Sequence, residues 1–164
     1  MKVGVLMKRM SISLFQIGVL FITLCIVLLS IFWLPDTAAY FAEEAPEWAY
    51  LKWPLLAGIY VTLVPFLFAI IEGLRLSRRV AVNDAFSRKS VQHLKNIRNS
   101  AFVISAMYLA GTIVLSRLVD ISPGIGLLAI IIMLASLMLG LISGILEELL
   151  RKALEIKEEN DLTV

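Results

Sequence analysis

Apolar positions in this chain gather in four long runs, Ile12 to Leu34, Pro54 to Ile71, Ser100 to Ser116 and Ile125 to Leu146, with the charged residues concentrated between them. A helix rises about 1.5 Å per residue, so roughly 20 residues cross the hydrocarbon core. The first and fourth runs meet that length outright. The second gains a turn by reaching Leu74 past Glu72. The third extends over Leu118 and Val119 if Arg117 snorkels its charge to the interface. The pattern predicts spans over residues 12–35, 54–74, 100–119 and 125–146, with loops at 36–53 and 75–99 and a tail at 147–164. The short alternating segments of a membrane barrel are absent.

Between the spans the periodicity stays helical. Arg75 to Arg98 reads as two helical pieces around Asn83-Asp84, with Ser87 placed to cap the second by accepting from an exposed backbone amide. Val91, Leu94, Ile97 and Ala101 recur at helical spacing, with Phe86 before the cap and Ser90 within the first turn. Arg88, Lys89, Lys95 and Arg98 line the other faces. This predicts a basic amphipathic helix leading into span three. Leu146, Leu149, Leu150 and Ala153 carry span four onward as a helical extension, with Glu147–Arg151 and Glu148–Lys152 as expected i,i+4 pairs. Within the spans, Pro65 removes a backbone donor and predicts a kink. Ser136, Gly140 and Gly144 form a stripe of small residues that lets two helix backbones approach in lipid, either within the chain or between two protomers.

Composition agrees with the pattern: 60% of residues are hydrophobic and 17% charged, and the mean hydropathy is +0.90. The net charge of +2 hides a polarity that the topology exposes. Thirteen basic residues fall before span one, between spans two and three, or after span four; only Lys52 and Arg117 fall in the other two gaps. The positive-inside rule then places both termini and the basic loop in the cytoplasm. The expectation is an all-α, four-span protein of the bacterial plasma membrane, N-in and C-in. The first run is too long for the apolar core of a cleaved signal peptide, so it is expected to stay as a span.

Candidate chemistry is sparse. Trp33, Tyr40, Trp48, Tyr50 and Trp53 sit near the outer boundary, where rings of this kind anchor at the headgroups. Glu43, Glu44 and Glu47 could offer oxygens to a hard cation, but calcium-loop spacing is lacking. Glu72 is expected to form an interfacial i,i+3 pair with Arg75; a proton or cation relay is the functional alternative. His93 is expected to be a solvated surface residue. It and the lone Cys25 are too far apart in topology to meet. No catalytic residue, cofactor site or metal site is expected, and the chain is not expected to be an enzyme.

Several pieces carry a resemblance. They are Phe32-Trp33-Leu34-Pro35, Gly58-Ile59-Tyr60 with Pro65-Phe66, the loop residues Phe86, Ser87, Ser90, Val91, Leu94 and Ile97, Asp120 with Pro123, and the ending Glu159-Asn160-Asp161-Leu162-Thr163-Val164. Together they resemble a family of small four-span bacterial membrane proteins, frequent in Gram-positive species and catalogued as a domain of unknown function. Genes of that family often lie beside a small helix-turn-helix transcription regulator. The resemblance therefore implies such a regulator as a cytoplasmic partner, and it carries over no catalytic residue.

Two classes of function are expected from these features. One is a regulatory or interaction protein that engages a cytoplasmic partner through Phe86 to Arg98 and the tail. The other is a small transporter, channel or immunity-type protein acting within the bilayer. The basic loop could also rest on anionic lipid, each Lys or Arg contributing about 1 kcal/mol near the surface. Direct nucleic-acid contact is not expected, and a homo-oligomer through span four stays open.

Overall fold

The computed structural model describes residues 2–82, 84–118 and 123–162, and the side chains of residues 10–82, 84–118 and 124–160. All the regular structure among these residues is helical, and four helices are long and apolar enough to cross a membrane. Helix α1 spans Lys2–Leu28, followed by a π-helical turn at Leu29–Trp33 and by α2 at Leu34–Glu44. A 3₁₀ turn at Pro46–Leu51 leads to α3 at Lys52–Ala81; α4 covers Arg88–Leu118 and α5 covers Pro123–Leu162. Val119, Asp120 and the expected extension of span three over Val119 lie outside the described residues, as does Asn83.

The segment expected as a loop at 36–53 is helical apart from Ala45, so the first span runs on past its apolar stretch. Pro35 explains the irregular turn inside it. The Leu34 N–H reaches back five residues to the Leu29 carbonyl. In that register the Ser30 carbonyl would be served by residue 35, but proline has no N–H to give. The Tyr60 hydroxyl of α3 donates to it instead, at 2.9 Å. A second tie, Gln16 Nε2 donating to Ser77 Oγ at 2.8 Å, fixes the other end of the antiparallel pair. None of the most apolar window of this first helix is buried.

Helices α3, α4 and α5 form the packed part of the molecule. The α4–α5 seam is antiparallel, and the small residues of α5 make it close. A Cβ built on Gly140 would lie 2.8 Å from the Phe102 ring, and one on Gly144 would lie 3.2 Å from Arg98 Cδ. The stripe at Gly140 and Gly144 is thus used within the chain, against α4. Ser136 lies half-buried one turn back, and Ser143, between the glycines, is buried. Ser100 and Ser105 are buried as well, so small polar side chains recur where helices approach. Pro65 sits inside α3, which runs unbroken from Lys52 to Ala81.

Candidate functional site

The polar ends of α3 and α4 meet at the basic end of the bundle. Ser87 caps α4 as its position predicts: its Oγ accepts from the Ser90 N–H at 3.3 Å, and its carbonyl accepts from the same group at 3.0 Å. Ser90 is itself fully buried, and its hydroxyl donates to the Asp84 carbonyl at 3.3 Å. These contacts fold the α3–α4 connection back on itself and lay the first turns of α4 beside the last turns of α3.

That juxtaposition builds a buried polar cluster. Glu72 is 1% exposed. Its Oε1 accepts from Arg75 at 2.7 Å, the i,i+3 pair expected from the sequence. Its Oε2 accepts from Asn96 Nδ2 at 2.9 Å and lies 2.7 Å from His93 Nδ1. On its other side His93 Nε2 accepts from Arg79 Nε at 3.4 Å, which assigns the ring proton to Nδ1 and makes His93 the donor to Glu72. Arg79 also pairs with Asp84. The histidine expected on the solvated surface is only 14% exposed, because the hairpin turns it inward onto a carboxylate. Glu72 likewise has interhelical partners that neither helix reveals alone.

Toward the open side of this cluster is a pocket of about 500 Å³, lined by Arg75, Arg78, Arg79, Val82 and His93. Residues 75, 78, 79 and 82 share one face of α3 because they recur at i, i+3, i+4 and i+7. A second pocket, of about 340 Å³, lies toward the opposite end among α3, α4 and α5. Its lining includes Gly58, Thr62, Tyr108 and Gly111; the gap owes part of its volume to the two glycines, where a Cβ would meet nothing within 4 Å.

The residues expected to face a partner or lipid fall into separate groups. Phe86, Arg88, Lys89 and Lys95 are exposed; Ser87, Val91, Ile97 and Arg98 are half-buried. Ser90 and Leu94 are buried inside the protein, so the inner stripe of the basic helix packs on the bundle rather than resting on a leaflet. Arg88 is engaged by α5: its Nε and Nη2 donate to Glu158 at 3.1 and 2.8 Å. Arg98 lies 2.7 Å from Glu147, which corrects the expected Glu147–Arg151 pair. Arg151 pairs with Glu148 instead, which also has Lys152 at 3.8 Å. Glu159 and Asn160 are exposed on α5, each already in a polar contact. The backbone of Asp161 and Leu162 belongs to α5; their side chains, and all of Thr163 and Val164, lie outside the described residues.

The sequence reading did not bring Glu72, His93 and Asn96 together. A signal was available: reflecting α3 onto α4 across the turn at Asp84 sets residue 72 opposite the turn that carries 93 and 96. Among the described residues no group of three His, Cys, Asp or Glu converges as metal ligands would, the acidic residues 43, 44 and 47 included.

No solved structure matches this chain. A relative from Bacillus subtilis (strain 168), named Uncharacterized membrane protein YoaS, is 40% identical over 160 residues, covering 96% of this chain and all of the relative. The family described as "Protein of unknown function (DUF2975)" matches residues 36–164, from α2 through the end of α5. Four membrane-length helices and a near full-length relative named as a membrane protein agree, and this chain is a membrane protein belonging to the DUF2975 family.

Proposed function

We propose that this membrane protein is an interaction protein whose basic end faces the cytoplasm of a bacterial cell and holds a soluble partner, with a small helix-turn-helix transcription regulator as the partner class. The observation that carries this reading is the braced pair formed by the start of α4 and the end of α5. Arg88 grips Glu158 with two nitrogens, across 70 positions of sequence. A bidentate pair of this kind fixes orientation as well as distance. At the same end Lys89 and Lys95 are exposed, and so are the apolar Phe86 and Ile156.

Ile156, 68% exposed, is the telling one. It lies ten residues past the apolar run of span four, about 15 Å along the helix axis. At that height lipid tails do not cover it, whereas a protein surface would. Phe86, 63% exposed, stands near the start of α4. Aromatic and aliphatic anchors beside basic residues suit a protein partner with an acidic, apolar docking face.

Transport within the bilayer is supported less. It asks for polar groups along the spans, and the buried acid among the described residues, Glu72, is committed to Arg75, His93 and Asn96 at one end.

Co-purification from gently solubilised membranes, followed by identification of bound proteins, tests the proposal. The full chain should retain a DNA-binding regulator. Ile156→Asp together with Lys89→Glu should reduce its recovery at least about tenfold, the effect of losing a central apolar anchor. Recovery of no regulator, or equal recovery with the double variant, would remove this reading.

A further inference from the structure

We propose that the pocket lined by Arg75, Arg78, Arg79, Val82 and His93 binds a phosphate group. Neither its arginines on α3 nor its histidine on α4 forms part of the docking face described above.

Charge is the first support. Three guanidinium groups face one space of about 500 Å³, and the acids within reach are Glu72 and Asp84. Three guanidiniums against these two carboxylates leave the cluster one positive charge in excess. Arg78 supplies it: it is exposed, and its side chain has no ion-pair or hydrogen-bond partner among the described residues.

Preorganisation is the second. Arg75 is held by Glu72 through Nη1, and Arg79 by Asp84 through Nη1 and by His93 through Nε. Among the described residues neither Nη2 has a protein acceptor, so N–H groups remain for an incoming oxygen. An anion entering here meets two guanidiniums already fixed in direction and a third free to close on it. Planar forks of this kind match the paired oxygens of a phosphate better than ammonium groups do.

Depth is the third. Arg75 is the first residue past span two, and Arg78 and Arg79 stand one turn further, about 5 Å along the axis. That is the level of lipid headgroups. Basic pockets between spanning helices at this depth suit phosphodiester headgroups. A soluble phosphate reaching the same pocket from water offers the same oxygens, so the chemistry is shared and the source is a matter for experiment.

The test uses the full chain in nanodiscs. In discs of mixed phosphatidylcholine and phosphatidylglycerol, native mass spectrometry counts the lipids retained on the ejected protein. In discs of phosphatidylcholine alone, inorganic phosphate is titrated while the thermal midpoint is followed. The variant is Arg78→Gln, chosen because no tie in the fold depends on that side chain. The control is Lys95→Gln, which removes the same charge at the same end but outside the pocket.

Retention of phosphatidylglycerol over phosphatidylcholine, reduced roughly tenfold by Arg78→Gln as for loss of a charge-assisted hydrogen bond and unchanged by Lys95→Gln, establishes a headgroup site. A phosphate-dependent rise in midpoint that Arg78→Gln abolishes, without selective lipid retention, establishes a site for soluble phosphate. Equal losses in the two variants, or no response to either probe, overturn the proposal. None of these outcomes depends on whether a regulator co-purifies.

Discussion

Helix α1 and the α4–α5 seam are both long and apolar, yet they are held by different physics. The seam closes on backbone: Gly140 meets the Phe102 ring, and Gly144 meets the stem of Arg98. Ion pairs then extend it, at Arg98–Glu147 and Arg88–Glu158. Helix α1 shows no such contact among its described residues; a Cβ on Gly18 would meet nothing within 4 Å. Among the described residues the first span is tied to α3 by Gln16 donating to Ser77 and, at the π-helical turn after α1, by Tyr60 donating to the Ser30 carbonyl. In lipid, burying apolar surface gives helices little reason to associate, because the tails are as apolar as leucine. Small residues and polar ties must do so, and the molecule concentrates both in α3, α4 and α5.

The largest test of that contrast falls on Glu72. Replacing it with alanine strands Arg75, His93 and Asn96 at once, and removing one member of a buried charged network costs about 3–5 kcal/mol. Glu72→Ala is therefore expected to lower the thermal midpoint in mild detergent far more than Glu148→Ala, which loses exposed pairs on a single helix. Glu72→Gln keeps the shape and part of the hydrogen bonding and should fall between them. Equal midpoints for Glu72→Ala and Glu148→Ala would mean that the α3–α4 cluster does not hold the bundle.

A smaller and sharper comparison sets two glycines against each other. Gly140→Ala drives a methyl into Phe102, and overpacking of this sort costs about 1–3 kcal/mol unless the ring can move. Phe102→Leu in the same chain should recover much of the loss. Gly18→Ala on α1 meets open space, and alanine is favoured over glycine in a helix by up to about 1 kcal/mol. The same substitution should therefore destabilise on α5 and be neutral or stabilising on α1. A matching loss at Gly18 would show that α1 packs closely on something that one copy of the chain does not supply.

The architecture was legible because lipid imposes a simple code. Runs of about 20 apolar residues and helical periodicity between them are local properties. The Ser87 cap and the Glu72–Arg75 pair were readable for the same reason, since their partners lie within one helical turn. What escaped was contact between helices. Glu147 was assigned to Arg151 by an i,i+4 rule, but the close α4–α5 approach brings Arg98 nearer, and a guanidinium across the seam wins. His93 looked solvated because its sequence neighbours Gln92 and Lys95 are polar; its environment is set by Glu72, 21 positions away. The segment at 36–53 reads as a loop because its acids and aromatic rings lie between two apolar runs. Pro46 instead sits at the start of the 3₁₀ turn, where a missing N–H costs little.

The smallest effect belongs to the far end of the seam, and it tests where the firm packing stops. Arg88 and Glu158 lie beyond the apolar runs, and hydrogen bonds from Arg88 hold the Glu158 carboxyl below the ordinary glutamate value. A depressed acid contributes stability that is fully present above its unfolded value and is lost as pH falls through the lowered one. Neutral and mildly alkaline solutions should therefore keep the clasp closed, and acidification through the glutamate range should open it. Both groups are exposed, so salt should weaken the clasp even at neutral pH. Hydrogen–deuterium exchange of the α5 amides beyond Leu154 reads this directly: exchange should quicken at low pH once corrected for its intrinsic rate, and Arg88→Gln should remove that dependence. The amides around Gly140 should stay protected throughout, because backbone packing against Phe102 does not titrate. Opening that spread back to Gly140 would mean the ion pairs, not the glycines, hold the seam.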